Sequence, residues 1–221
     1  MRTIQITGRG LLRLKADTTR ITLTIGGLEM EYADALDEST KATEGLKDLF
    51  EQYGFKRSDL KTLNFDVNPE YEGYDDKGTW RQRFTGYRYR HTLKLDFPSD
   101  RELLGKLLYA IARSSAKPEF HITYTVHDPE KAKNELIGLA VADAKAKAIV
   151  LTMAAGTELL AIQSIVYSRG EPVFEVRPMN RMMAAKGAMV EEASMDSGYN
   201  LDIEPDDIEV FDTVTIVWEI A

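Results

Sequence analysis

The sequence predicts an α+β fold in which antiparallel-rich sheets carry helices on one face. Two kinds of pattern indicate it. Apolar and polar residues alternate over 19–28 and 118–127, which is typical of half-buried strands. Apolar residues recur at three- and four-residue steps over 30–53, which is typical of an amphipathic helix.

The elements also recur in a rough internal repeat. The order strand, helix, strand, loop, strand fits 19–97 and then 118–220, and a helix at 99–114 joins the two. We therefore expect two β-α-β-β-like halves within a single domain. The expected domain spans 1–221, with halves of about 1–98 and 116–221.

In the first half the predicted elements have local start and stop signals. Gly8 and Gly10 predict a turn between two short extended stretches, and Gly54 ends the first helix. From Pro69 to Thr79 we expect a broad turn, because turn-forming residues cluster there. The elements in order are extended stretches at 3–7 and 11–15, a strand at 19–28, a helix at 30–53, and strands at 60–71 and 82–97.

The joining helix and the second half show similar signals. Ser99 is the expected N-cap of the joining helix, since Glu102 follows at the capping-box spacing. Asp128 and Pro129 open the longest helix, and its many alanines predict close approach to a sheet. The elements in order are a helix at 99–114, a strand at 118–127, a helix to about Ala155 that ends at Gly156, and strands at 159–169 and 207–220.

Residues 170–206 form a loop of unusual length for a compact domain. Such loops are usually functional or disordered. We expect disorder, or order that depends on a partner, with a short amphipathic helix at 181–193 as the alternative. Methionines suit adaptable interaction surfaces, and those assigned to such a surface here are Met179, Met182 and Met183.

The overall charge limits the classes of partner. The 221 residues include 28 basic and 36 acidic ones, a formal net charge of −8. A general nucleic-acid binder needs a basic excess, so we expect no nucleic-acid partner. No apolar stretch reaches the roughly 18–20 residues of a membrane span, and residues 1–20 do not resemble a signal peptide. The expected location is the cytoplasm, or the periplasm or envelope if a leader has been removed.

Residue types that usually carry catalysis or bind metals do not converge. The chain has no cysteine, which excludes disulfides, thiolate metal sites and cysteine nucleophiles. His121 and His127 lie on one predicted strand and His91 on another, so they do not supply the ligands of a zinc site. The glycines at 8–10 precede an extended stretch rather than the helix that a phosphate cradle needs. We therefore expect no catalytic residue, no metal and no cofactor.

The stretch 68–90 combines six aromatic residues with four arginines. Three interpretations are open: a stacking platform for single-stranded nucleic acid, a partner-binding patch, or the two faces of one hairpin. Tyr87 and Tyr89 share the parity of Leu93, so the third interpretation accounts for most of the mixture. The residues that remain as a candidate exposed patch near the hairpin tip are Tyr71, Tyr74, Trp80 and Arg81.

Four stretches, in order, resemble the SIMPL domain family over nearly the whole chain. They are ITGRG with ADTTRITLTI, LKTLNFDVNPEY with FTGYRYRHTLKLDF, the helix that begins VHDPEKAKNELIGLA, and IEPDDIEVFDTVTIVWEI. The resemblance implies a mixed α and β fold with no established catalytic residues or cofactor. Some bacterial members are similar to a periplasmic surface antigen that assembles into ring-like oligomers, and others are linked to oxidative-stress tolerance. The eukaryotic namesake is a signalling adaptor that binds a kinase.

Together these observations predict a non-enzymatic, self-associating protein-interaction module of unknown biochemical activity. We expect a homo-oligomer, with a protein partner as the other expected contact. The alternative is a small-ligand-binding protein, or an enzyme of unrecognised type, with a pocket between the helices and the sheet.

Overall fold

A computed structural model of the chain describes residues 2–167, 172–177 and 205–221. This part of the chain contains three α-helices and two antiparallel sheets, so the predicted α+β class is confirmed. Predictions that lie outside the described residues concern the short helix at 181–193, most of the 170–206 loop, and Met179, Met182 and Met183.

Eleven strands and helices make up the described part, together with a 3-10 turn at Arg57–Asp59. The elements are β1 (Arg2–Leu14), β2 (Thr18–Glu29), α1 (Tyr32–Glu51), β3 (Lys61–Asp76), β4 (Thr79–Pro98), α2 (Arg101–Arg113), β5 (Glu119–Thr125), α3 (Pro129–Ala155), β6 (Leu159–Tyr167), β7 (Glu175–Val176) and β8 (Ile208–Ile220). The strand order is β1-β8-β6 in one sheet and β3-β4-β2-β5-β7 in the other.

Contacts within the chain divide it into two compact units. Among the described residues, the first unit comprises 2–17, 125–167, 172–176 and 205–221, and the second comprises 18–124 and 177.

In the first unit, α3 packs on one face of the sheet β1-β8-β6. β1 pairs with β8 over its whole length, so the two ends of the described chain lie side by side. The alternating apolar residues of β8, such as Val214 and Ile216, are buried beneath the helix. The helix meets them with three fully buried alanines at four-residue steps, Ala140, Ala144 and Ala148. Small side chains on this stripe let the helix lie close to the strands.

The predicted turn at Gly8 and Gly10 is wrong, because both glycines lie inside the continuous strand β1. A Cβ at Gly8 would lie 2.0 Å from the backbone oxygen of Ala140, and one at Gly10 would lie 2.1 Å from that of Leu136. Glycine is therefore required here by the contact between β1 and α3 rather than by a turn. The close approach of helix and sheet that the alanines predicted is confirmed.

In the second unit, α1 and α2 pack on one face of the paired strands β2 and β4. Leu46 and Phe50 of α1 share a core with Leu107 of α2. Tyr89 of β4 is buried at the same parity as Leu93, as the sequence predicted. The strand residues of this core are Ile21, Leu23, Ile25, Leu93, Leu95 and Phe97.

The helix ends follow the sequence with one correction. The N-cap of α2 is Asp100 and not Ser99, because the carboxylate of Asp100 accepts hydrogen bonds from two backbone N–H groups of the first turn at 2.9 and 3.1 Å. The Ser99 hydroxyl instead lies 3.1 Å from the hydroxyl of Thr19. The Asp128 cap of α3 and the left-handed Gly156 at its end are confirmed.

The hairpin of β3 and β4 is longer and tighter than the sequence predicted. The expected turn from Pro69 to Thr79 is wrong, since β3 continues to Asp76 and only Lys77 and Gly78 connect the strands. Their φ angles of 53° and 86° are typical of a type I′ turn, which matches the twist of a hairpin. Pro69 is compatible with β3 because β3 is an edge strand, where a missing N–H is tolerated.

Candidate interaction surface

The distal part of the β3–β4 hairpin extends past the strand that supports its base. β2 pairs with β4 only as far as Glu29 opposite Tyr87. Beyond that point β3 and β4 pair only with each other within the described residues, and we call residues 70–86 the arm. At its tip the N–H of Gly78 donates to the carboxylate of Asp75 at 2.8 Å, which fixes the turn.

One face of the arm is aromatic. Tyr71 lies opposite Phe84, and Asp75 lies opposite Trp80, so the three rings share this face. The rings of Tyr71 and Phe84 meet edge to face, with their centroids 5.7 Å apart. The indole of Trp80 lies across Gly73, where an added Cβ would approach it to 2.7 Å. Even so, the side chains of Trp80 and Tyr71 are 74% and 55% exposed.

A β-bulge aligns this aromatic face with the helix-covered face of the sheet. The pairing register slips by one residue at Thr85, whose hydroxyl donates to the backbone carbonyl of Glu70 at 3.0 Å. Because of the slip, Phe84 packs against Tyr87 at 5.2 Å although the two positions differ in parity. Tyr87 in turn meets Tyr32, the first residue of α1, at 5.5 Å. The arm thus continues the apolar side of the sheet beyond the helices.

The opposite face of the arm is polar, and its charges are paired across the strands. Arg83 lies 3.0 Å from Glu72, and Arg81 lies 3.2 Å from Asp76. Tyr74, 43% exposed, lies opposite Arg81 on this face. The arginines of the arm therefore do not form a free basic strip.

The base of the arm is fastened by a two-pronged ion pair. Nε and a terminal nitrogen of Arg88 donate to the two carboxylate oxygens of Glu70, the second over 2.7 Å. These hydrogen bonds lower the pKa of the Glu70 carboxyl and raise the pKa of Arg88. Both groups therefore stay charged at neutral pH, and the base keeps its geometry.

The structure divides the four residues predicted as a tip patch between the two faces. Tyr71 and Trp80 lie on the aromatic face, whereas Tyr74 and Arg81 lie on the polar face. Phe84 also belongs to the aromatic face. The sequence did not predict this, because Phe84 has the opposite parity to Tyr87 and Tyr89 in the same strand. The only sequence signal for it is its aromatic character, because the bulge that explains its orientation is not visible in the sequence.

A second apolar surface lies on the first unit and was not recognised from the sequence. The edge strand β6, LLAIQSIVY, contains no charged residue. Irregular pairing at its start leaves Ser164–Tyr167 as the segment regularly paired with β8, and such bulges usually protect an edge from further pairing. Its large apolar side chains that are about half exposed are Leu160, Ile162, Ile165 and Val166.

The aromatic face offers hydrophobic and stacking contacts rather than acid–base chemistry. Its one carboxylate, Asp75, is engaged by the turn at the tip. Within residues 2–167, 172–177 and 205–221, no group of three or more His, Cys, Asp or Glu could hold a metal ion. None of the helices in that part of the chain is both long and apolar enough to cross a membrane.

A family model described as SIMPL, protein of unknown function (DUF541), matches residues 4–218. The chain belongs to the SIMPL family. A search of curated proteins finds no match. The family match covers both units of this SIMPL protein, including the arm and the edge strand β6.

Proposed function

We propose that this SIMPL protein is a non-enzymatic, self-associating interaction module in which the aromatic face of the arm docks on the same face of a second copy. The observation that carries the proposal is the row of exposed rings, Trp80, Tyr71 and Phe84, on one face of a two-stranded ribbon. An isolated two-stranded hairpin is only marginally stable in water. Covering one of its faces would stabilise the arm as well as the assembly.

The charge of the arm favours a second copy over a nucleic acid. Residues 70–86 contain three basic and four acidic side chains, a net charge of −1, although the whole chain carries −8. Two copies of an acidic protein repel each other, and the repulsion is weakest where the approaching faces carry few charges. The aromatic face carries a single carboxylate, that of Asp75. A nucleic acid needs free cations, but Arg81 and Arg83 are already paired on the other face.

The exposed area limits the strength of the arm contact. From their exposed fractions, the three rings offer about 350–400 Å² per arm, given the 150–250 Å² that a buried aromatic side chain covers. Two facing arms would bury about 750 Å², below the roughly 1,200 Å² of a stable interface. We therefore expect association through the arm alone to be weak and concentration-dependent, and tighter assembly to use the apolar surface of β6 as well.

The absence of enzymatic activity is part of the same proposal. The carboxylates of the arm are paired with arginines or engaged by its turn, so none of them is placed to transfer a proton to a ligand on the aromatic face. Aromatic side chains are instead enriched among the residues that dominate binding energy at protein interfaces.

Sedimentation analysis over a concentration series tests the proposal. The wild-type mass should rise with concentration, whereas the double variant Tyr71→Ala with Trp80→Ala should remain a monomer. Tyr74→Ala is the matched control, because it removes an exposed tyrosine from the polar face of the same arm. A wild-type protein that is monomeric throughout, or equal loss of association in Tyr74→Ala, would contradict the proposal.

Tryptophan fluorescence locates the contact. The chain has two tryptophans, and Trp218 is buried whereas Trp80 is exposed. Emission from Trp80 should shift to shorter wavelength and become protected from acrylamide as concentration rises. Trp80→Phe should abolish the change. A mass increase without any change in the fluorescence of Trp80 would show that the interface lies outside the arm.

A further inference from the structure

A cleft of about 300 Å³ lies between α1 and the edge strand β3, around the histidine of β4. Its volume is at the lower end of the range for small-molecule sites. Leu36 and Phe65 form apolar parts of its wall, and the Phe65 ring meets the His91 ring edge to face at 4.9 Å. Its polar lining residues are Ser39, Thr40, Thr43, Glu44, Lys47, Thr62 and His91.

Both ring nitrogens of His91 have hydroxyl partners. Nδ1 lies 3.1 Å from the hydroxyl of Thr43 and 3.3 Å from that of Ser39. Nε2 lies 2.8 Å from the hydroxyl of Thr62. Burial lowers the pKa of His91, and the charge of Lys47 lowers it further. The ring is therefore neutral at pH 7 and has one N–H donor and one acceptor nitrogen.

The hydroxyl of Thr43, the nearer partner of Nδ1, favours one position for the hydrogen of the ring. It donates to the backbone carbonyl of Ser39 at 2.8 Å, so toward His91 it can only accept. This favours the tautomer in which Nδ1 of His91 carries the hydrogen and donates to Thr43, while Nε2 accepts from Thr62. The ring and the Thr62 hydroxyl are held in one orientation by this chain of hydrogen bonds.

A β-bulge brings β3 into this arrangement. The register of β3 on β4 slips between Thr62 and Asn64, so that Thr62 lies opposite Leu93 and Phe65 opposite His91. Both side chains consequently line the cleft, although regular alternation would place them on different faces. Bulges often re-aim side chains in this way next to binding sites.

The hydroxyl groups of the wall present acceptors to the cleft. The hydrogen of Thr62 is used by His91, and Thr40 donates its own to the backbone carbonyl of Leu36 at 2.9 Å. Each oxygen keeps lone pairs for a further bond. A complementary ligand therefore supplies O–H or N–H donors.

The charged groups at the cleft compensate each other. Lys47 donates to the carboxylate of Glu44 at 2.8 Å, and Arg57 bonds the same carboxylate. An anion would face Glu44 and the hydroxyl lone pairs, and a cation would face Lys47 and Arg57. An uncharged ligand avoids both conflicts.

We propose that this cleft binds a small, uncharged ligand rich in hydroxyl groups, of the sugar or polyol class. Hydroxyl groups of the ligand donate to Thr40 and Thr62, and its C–H face packs on Phe65 and Leu36. The cleft shares no residue with the arm, so the proposal does not depend on self-association.

NMR of the histidine imidazoles tests the proposal with D-ribose as the uncharged probe, inorganic phosphate as the anion and putrescine as the cation. Ribose should shift the His91 signals in a saturable manner, with a Kd on the order of millimolar for so small a ligand. His121 and His127 are exposed and lie outside the cleft, so their signals should not move.

The matched variants are Thr40→Val, which removes an acceptor without touching His91, and Thr3→Val, which changes an exposed threonine of β1. Thr40→Val should weaken ribose binding about three- to tenfold, as expected for one hydrogen bond, and Thr3→Val should not. The proposal is overturned if ribose causes no saturable shift of His91, if Thr40→Val binds as the wild type does, or if phosphate or putrescine binds more tightly than ribose.

Discussion

Replacement of Gly8 by alanine measures how closely α3 lies on β1. The added Cβ would be 2.0 Å from the backbone oxygen of Ala140 and 2.7 Å from the Cβ of Ala144. Backbone atoms of a helix cannot rotate away, so α3 must retreat by about 1 Å or more. A gap of this size forfeits a quarter to a half of the dispersion energy of the contacts it opens. The contacts at risk include those of the fully buried Ala148.

We therefore expect Gly8→Ala to lower the free energy of unfolding by about 3 kcal/mol, the upper part of the usual range for overpacking. In a protein of this size that corresponds to a Tm about 6–12 °C lower. The emission of Trp218, buried in the same core, reports unfolding of the first unit directly. Strain in the backbone does not contribute, since Gly8 has no positive φ.

The matched control is Gly138→Ala in α3, where an added Cβ has no atom within 4 Å. Alanine favours the helix, so this variant should gain about 0.5–1 kcal/mol. If Gly8→Ala unfolds within about 0.5 kcal/mol of the wild type, the limit for an ordinary surface change, the inferred contact of β1 with α3 is wrong.

Three further predictions concern single side chains. Asp100→Ala should cost about 1 kcal/mol in urea unfolding through loss of the α2 cap, and Asp100→Asn should recover most of it. His91 has a lowered pKa in the folded state, so the unfolded chain binds more protons below pH about 6.5 and stability should fall as pH drops through that range. His91→Gln should reduce this pH dependence, measured by urea unfolding at several pH values, whereas His121→Gln should retain it. Tyr167 donates to the buried Asp212 at 2.6 Å, which raises the pKa of Tyr167 to about 12. Tyr167→Phe should therefore remove one late step from the alkaline absorbance titration and cost about 1–3 kcal/mol.

Local periodicity predicted the elements well where one strand or helix follows its pattern without interruption. The parity of Tyr89 with Leu93 correctly gave the face of β4 that meets the helices. The Asp128 cap and the terminal Gly156 correctly gave the ends of α3. These features depend on residues close in sequence, so the sequence alone contains the necessary information.

The features that the sequence did not predict depend on distant contacts or on register. The slips in pairing register at Thr85 and next to Thr62 change which side chains share a face, and no local sequence pattern predicts them. Gly8 looked like part of a turn because the helix that requires it lies more than 100 residues away in the chain. The aromatic face and the His91 cleft both depend on such register slips. The sequence alone therefore did not predict either of them completely.

The pairing of β1 with β8 has a consequence for synthesis of the protein. The second unit is formed largely by the continuous stretch 18–124, so it can fold as soon as that stretch has left the ribosome. β1 precedes the other described strands in the chain but pairs with β8, which follows them all, from Arg2 opposite Ile220 onward. At 5–20 residues per second the first strand waits roughly 10–40 s for its partner. During that interval β1 has no partner strand, and this is the stage at which a chaperone would have most to protect.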